Sequence, residues 1–217
     1  NGMKLNFDDK AAAEHIFDEI FINSCYHIKK GLEMNTIIDV GANIGFFSHY
    51  AMMNCQNAKI YSVEPDPRNY KVLNDNIRTN NFEKRIKTYN NAMLSGKTKD
   101  VSFFQSKHNP GWSSIYKEEG ASDGDEITIK TISMSELLKQ NNIEKIDFLK
   151  LDAEGAEYDI ILNDDFISKY PINYLVVEVT KNVPKNIEYT YDNLTSYLRN
   201  HFKKVSTWKH SESSVYP

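Results

Sequence analysis

The sequence predicts an α/β fold, a mostly parallel central sheet with helices on both faces and an added β-hairpin. Short apolar runs alternate with segments of helical periodicity from about residue 35 onward. The run Thr36-Ile37-Ile38-Asp39-Val40-Gly41-Ala42-Asn43-Ile44-Gly45-Phe46-Phe47 reads as a buried strand, a glycine turn and a helix start. Polar residues stand where the apolar runs end, at Asp39, Glu64, Asn90, Asp152 and Glu178. Parallel strands covered on both faces are apolar throughout, and ligands bind beyond their carboxyl ends.

Apolar residues at helical spacing (Ala13, Ile16, Phe17, Ile20, Phe21, Ile28) predict a helix over 9–30, with Gly31 ending it. The first strand follows at Thr36–Val40 and a helix at Ile44–Asn54. The second strand is Ala58–Val63; Pro65 and Pro67 stop it, and a helix runs to Asn80. A third strand is expected at Ile86–Asn90. Val101–Gln105 and Ile127–Ile132 alternate as the two arms of a hairpin, joined by a long polar loop, Ser106–Glu126. Ser133 or Ser135 caps a short helix with Glu136 in its first turn. Ile146–Asp152 is a central strand with a helix starting near Gly155. Tyr174–Val179 is a further strand, then come a helix over Ile187–Asn200 and a last strand, Lys203–Trp208. The expectation is one domain over residues 1–217, made of an N-terminal helical segment (1–34) and the α/β core (35–217).

The glycine turn points to a cofactor. Gly41 allows a bend where a Cβ would clash, and the helix start offers free N–H groups. Glu64, about twenty residues on at the second strand's end, is placed to accept both hydroxyls of a ribose. A dinucleotide site favours G-x-G-x-x-G, and here the spacing is Gly41-x-x-x-Gly45 with no middle glycine. A Walker loop is absent. S-adenosylmethionine, which carries no phosphate and has a polar amino-acid end, suits this turn. A plain strand–turn–helix, with glycines for geometry alone, is the alternative.

With 217 residues and a net charge of −4, the chain has a full core and lacks the basic footprint of a nucleic-acid binder. Lys84-Arg85-Ile86-Lys87 is too short for one and reads as a solvated helix end. No apolar run reaches the length of a membrane span, and no signal peptide is expected at this start; Asn1-Gly2 ahead of Met3 reads as an expression remnant. Cys25 and Cys55 lie in helical apolar patterns and are read as buried thiols rather than a disulfide. A cytoplasmic protein is expected. The sequon Asn193-Leu194-Thr195 lies in a helical context that speaks against its use.

Lys150-Leu151-Asp152-Ala153-Glu154-Gly155-Ala156-Glu157 holds four ionisable groups in one short run. Lys150 and Asp152 share a strand face. Their bland reading is an ion pair, and that of Glu154 a helix-cap carboxylate. Glu157 is read either as a surface residue or as part of the site. Asp152 carries a buried strand into the crevice and is the favoured functional residue.

Together these segments resemble a known family. Asp39-Val-Gly-Ala-Asn-Ile-Gly45, Glu64-Pro65, Asn91-Ala92, Gly111-x-Ser113-Ser114 and the Leu149–Glu157 run are similar to the FkbM family of S-adenosylmethionine-dependent methyltransferases. The resemblance spans about residues 35–180, and its Lys-x-Asp-x-Glu-Gly-x-Glu run is the specific part. It implies a Rossmann-like class I methyltransferase fold and O-methylation of hydroxyls on sugars or polyketide-type products, with S-adenosylhomocysteine as the other product. The class usually closes its sheet with a hairpin; only Ser211–Pro217 follow here, so a short or truncated last strand is expected.

Roles follow by position. Gly41, Ala42, Asn43 and Gly45 hold the methionine portion, with Phe46 packed nearby. Asp39 fixes the turn or meets the amino group. Asn91 meets the adenine edge beside Ala92. An alcohol needs its proton taken as the new bond forms, and Asp152 or Glu154 is the candidate base, with Lys150 orienting the carboxylate or the acceptor; His108 is a second candidate. Trp112 stacks on a sugar face or anchors the loop. Ser113 and Ser114 bind substrate or the cofactor carboxylate, or simply make the turn. Glu178 completes the substrate side. Asp152, Glu154 and Glu178 are also the oxygen ligands available to a divalent metal, though nothing fixes such a site. A small-molecule or glycan acceptor is the expected partner, and the oligomeric state stays open. A nucleotide-dependent oxidoreductase and a non-catalytic cofactor-binding module are the competing readings.

Overall fold

The structure is a computed structural model that describes residues 3–29, 32–107, 110–117, 124–179 and 190–207. In chain order, α1 (Lys10–Phe17) runs into a π-turn (Asp18–Ile22) and is followed by β1 (Thr36–Val40), α2 (Phe46–Asn54), β2 (Lys59–Val63), α3 (Pro67–Thr79) and β3 (Ile86–Tyr89). Then come β4 (Ala92–Met93), β5 (Asp100–Gln105), a 3-10 turn (Pro110–Trp112), β6 (Asp125–Ile132) and α4 (Met134–Gln140). β7 (Ile146–Leu151), α5 (Glu157–Asn163), α6 (Phe166–Lys169), β8 (Ile172–Val177) and α7 (Tyr191–His201) complete the described chain.

Five strands form a wholly parallel sheet in the order β3-β2-β1-β7-β8. Side chains alternate along a strand, so neighbours enter different cores. Ile37, Ile60 and Phe148 pack with α2 and α3, while Ile38, Val63 and Leu149 pack with α4, α5 and α7. Ile37 and Ile38 are fully buried, each worth about 2 kcal/mol of burial. Helices thus cover both faces, as expected. The hairpin forms too: β5 and β6 pair antiparallel from Asp100↔Lys130 to Gln105↔Asp125, and β6 adds β4 in parallel. Local signals start the helices. Asp66 accepts from Arg68 N ahead of Pro67, and Ser133 with Glu136 makes a reciprocal cap on α4.

Several boundaries differ from the sequence expectation. The N-terminal helix ends at Ile22, where Ser24 takes a positive φ and turns the chain toward the sheet; Gly31 lies outside the described residues. The helix after β7 starts at Glu157, because the residues expected to open it form a turn instead. The last helix begins at Tyr191, and Ile187 lies outside the described residues. Residues 203–207 form no strand; they pair with no sheet edge, and a strand needs a partner to exist. Trp208 and Ser211–Pro217 are outside the description. Cys25 and Cys55 are free thiols. Among the described residues, no helix is long and apolar enough to cross a membrane.

Candidate active site

The chain steps outward from β1 through β2 to β3, then returns to place β7 and β8 on the other side of β1. Strand order therefore reverses between β1 and β7, and a crevice lies beyond the carboxyl ends of the strands there. Gly41 sits at that point with φ +72°, and a Cβ there would come within 1.7 Å of the Asp152 carbonyl oxygen. The two loops touch backbone to backbone, which only glycine permits. Gly41 N and Ala42 N both donate to Val63 O. Asn43 also takes a positive φ, and its side chain accepts from Ile44 N at 2.7 Å.

Glu64 joins this turn to the second strand. Its carboxylate accepts from Asn43 N at 2.7 Å and Asp66 N at 2.9 Å, and it lines the crevice. Burial pushes its pKa from 4.5 up to about 8, although both N–H groups pull the other way.

Beneath the turn lies a buried polar cluster set by strand register. Asp39 pairs across the sheet with Lys150 on one side and Ser62 on the other. All three therefore share the face that α2 covers, and α2 supplies Ser48. Ser48 Oγ donates to Asp39 Oδ2 at 2.6 Å and shares a 2.7 Å hydrogen bond with Ser62. Lys150 is 3% exposed. Its Nζ donates to Gly41 O at 2.8 Å and pairs with Asp152 Oδ2 at 3.1 Å and Asp39 Oδ1 at 3.5 Å. Burial opposes the ammonium charge, but Asp152 and Asp39 outweigh it and hold its pKa above the ordinary value. Burial dominates at Asp39 and raises its pKa despite Lys150, so the cation is the fixed member of the cluster. Lys150→Met is expected to cost about 3 kcal/mol in urea unfolding, because among the described residues Asp39 Oδ1 has no hydrogen-bond donor and only this cation. A loss below about 1 kcal/mol would mean that Asp39 protonates without penalty.

The turn after β7 is built by Glu157. It is 0% exposed, which corrects its reading as a surface residue. Its carboxylate accepts from Ala153 N at 2.7 Å and from Gly155 N at 3.1 and 3.2 Å, folding the turn over itself. Burial raises its pKa to about 7. Glu154 is no helix cap: it sits in the turn at φ +48°, and burial, then Asp152, Glu157 and Glu178, push its pKa to about 8. The mid-chain loop closes on this turn. Ser114 Oγ donates to Glu154 O at 2.7 Å, and its backbone pairs with Phe104. Ser113 Oγ donates to Asp66 Oδ2 at 3.0 Å, where Arg68 and Gln105 also converge.

Gly41, Asn43, Glu64, Ala92, Ser113, Ser114, Asp152 and Glu154 thus meet on one crevice wall. Asp39, Ala42, Gly45, Phe46, Lys150 and Glu178 lie off that wall, the first five in the layer behind it. Asn91 is also off it, its amide donating to the Lys130 and Thr131 carbonyls. Trp112 stands 55% exposed on the loop, which argues against its reading as a buried anchor, and His108 lies outside the described residues. Sequence reasoning missed Met93 and Phe103 on the wall, Asp66 as the loop's anchor, and Tyr26. Asp66 carried a signal, as the cap before Pro67. Among the described residues, no three His, Cys, Asp or Glu side chains are grouped to hold a metal.

Residues 39–205 match the methyltransferase FkbM domain. The chain belongs to the FkbM methyltransferase family. The matched stretch starts at the Asp39 of the buried cluster and takes in every wall residue named above. Among its relatives, methyltransferase sdnD of Sordaria araneosa is 30% identical over 184 residues, covering 72% of this chain and 70% of that protein. The 31-O-demethyl-FK506 methyltransferase FkbM of Streptomyces tacrolimicus is 23% identical, covering 82% and 79%. The hexuronic acid methyltransferase AglP of Haloferax volcanii is 27% identical, covering 74% and 62%.

Proposed function

We propose that this FkbM-family chain is an S-adenosylmethionine-dependent O-methyltransferase acting on a hydroxyl of a sugar or glycan. The observation that carries the reading is the acidic lining of the crevice. Its ionisable lining residues are Glu64, Asp152 and Glu154, with no Lys or Arg among the described ones. No lining cation offsets a pyrophosphate's charge there, whereas a sulfonium cation is attracted by Asp152 and favours ionisation of Glu64 and Glu154. The same lining, without a cation for a pyrophosphate, opposes the nucleotide-dependent oxidoreductase.

The residues fit the cofactor. The Gly41–Asn43 turn meets its amino-acid end, and Glu64 accepts its ribose hydroxyls. Ala92, Met93 and Phe103 provide an apolar wall for the adenine. When bound, the cofactor supplies an electrophilic methyl group. Asp152, ion-paired to Lys150, takes the acceptor's proton as the acceptor oxygen gains that methyl. A carboxylate acceptor needs no base and would be repelled by Asp152, so a hydroxyl is favoured. The exposed Trp112 offers its ring to the apolar face of a sugar. A second reading, a hydroxyl on another small molecule, has the support of the relative named for an O-demethyl acceptor.

Calorimetry with S-adenosylhomocysteine tests the cofactor half. Glu64→Ala is expected to weaken binding about tenfold or more; equal affinity would remove Glu64 from the ribose. Ribose hydroxyls donate to the ionised carboxylate, so binding draws the Glu64 pKa down from about 8. Near neutral pH, binding therefore releases a proton, and affinity rises with pH until about 8. Affinity independent of pH between 6 and 8 would contradict this. Release of S-adenosylhomocysteine across a panel of neutral glycans and small alcohols tests the acceptor half; cofactor binding without turnover on any of them would favour the non-catalytic module.

A further inference from the structure

We propose that Tyr26 is a positioning residue of this site, its hydroxyl donating to Glu178 and standing against Asp152, and so fixing the Asp152 carboxylate. This deepens the reading above and rests on Asp152 as the base. Tyr26 precedes the family-matched residues, which begin at 39, and reaches the site because the chain turns at Ser24. It is 7% exposed, with its ring edge-on to Phe47 at 5.6 Å. The hydroxyl donates to Glu178 Oε2 at 2.6 Å and lies 3.4 Å from Asp152 Oδ2. The Lys150 ammonium sits 5.2 Å from the ring centroid.

The geometry answers a charge problem. Leu151 and Val177 are register partners on β7 and β8, so Asp152 and Glu178, the next residues, emerge side by side. Like charges at that spacing repel. Lys150 offsets Asp152, and Tyr26 gives Glu178 a donor without adding charge. The length of that bond is typical of a hydroxyl meeting a carboxylate. Burial, and then the charges of Asp152 and Glu178, hold the phenol protonated far above neutral pH. The titratable groups facing Tyr26 are Asp152 and Lys150 from β7, Glu178 after β8, and the adjacent Cys25, with Asp39 behind Lys150 and Glu19 of the π-turn beside Cys25. Lys150 and Tyr26 both meet Oδ2 of Asp152, which assigns the acceptor's proton to Oδ1.

The test is a side-chain carboxyl ¹³C NMR titration of the full chain, with no acceptor required. Tyr26→Phe keeps the ring on Phe47 and Lys150 but removes the donor. The Asp152 midpoint is then expected to rise by about half a pH unit or more. Glu178→Gln removes the repelling charge, and the Asp152 midpoint is expected to fall. The opposite signs separate positioning from general loosening, and the second variant carries the test alone if the first does not fold. S-adenosylhomocysteine affinity should stay within about twofold in both, since neither side chain itself lines the crevice. An Asp152 midpoint unmoved in the folded variants, shifts of the same sign, or a tenfold loss of affinity would each overturn the proposal. Full turnover in Asp152→Asn would remove the base assignment instead, whatever the titration shows.

Discussion

Asp152→Asn is expected to fold, to bind S-adenosylhomocysteine as the parent does, and to lose at least about a hundredfold in turnover. Asparagine keeps the shape and an oxygen for the Lys150 ammonium, which retains Asp39 and the Gly41 carbonyl as partners. The substitution therefore spares the buried cluster and removes only a proton acceptor on the crevice wall. With saturating cofactor, so that the Glu64 titration drops out, the acid limb of the pH–rate profile tells Asp152 from its neighbour. Glu154 has its pKa near 8, so a Glu154 base would give a rate still rising through pH 8. Turnover in Asp152→Asn within about threefold of the parent, together with such a profile, would move the base to Glu154.

Gly41→Ala is expected to cost more than about 4 kcal/mol, or to prevent folding. Two costs combine. A φ of +72° is unfavourable for alanine by about 1–2 kcal/mol. The added methyl would then lie 1.7 Å from the Asp152 carbonyl oxygen. That oxygen is backbone and cannot swing aside, so the β1 and β7 loops must separate. Asp152 N would then lose its hydrogen bond to Val40 O, and Lys150 its contact with Gly41 O. Urea unfolding measures the effect. A well-folded variant losing under about 2 kcal/mol would show that the loops part freely and that the glycine is not required there.

The crevice charge and the base assignment depend on different levels of the molecule. Glu64, Asp152 and Glu154 were all recognisable in the chain, because a charged residue ending an apolar run stands out. Their division of labour was not. Lys150 was expected to orient a carboxylate or the acceptor, and its ammonium pairs with Asp152. Its second carboxylate, Asp39, became visible only once β1 and β7 were neighbours in register. Glu157 was ambiguous because a helix's first residue is usually exposed; here the turn before it needs an internal acceptor, and the side chain folds inward. Asn91 belonged to a recognised dipeptide, yet the added hairpin takes its amide. Tyr26 carried no local signal, since its meaning depends on residues more than a hundred positions away.

The sequence by itself determined the alternation of strands and helices, the glycine turn, the acid at the end of the second strand and the acidic run after the central one. These are local facts: periodicity, a positive φ, a cap, a charge after an apolar stretch. Tertiary structure alone decided which acids face the crevice, which are held beneath it, and which part of the N-terminal segment reaches them. Strand order and register bring distant residues within hydrogen-bond range, and no spacing along the chain encodes a distance across it.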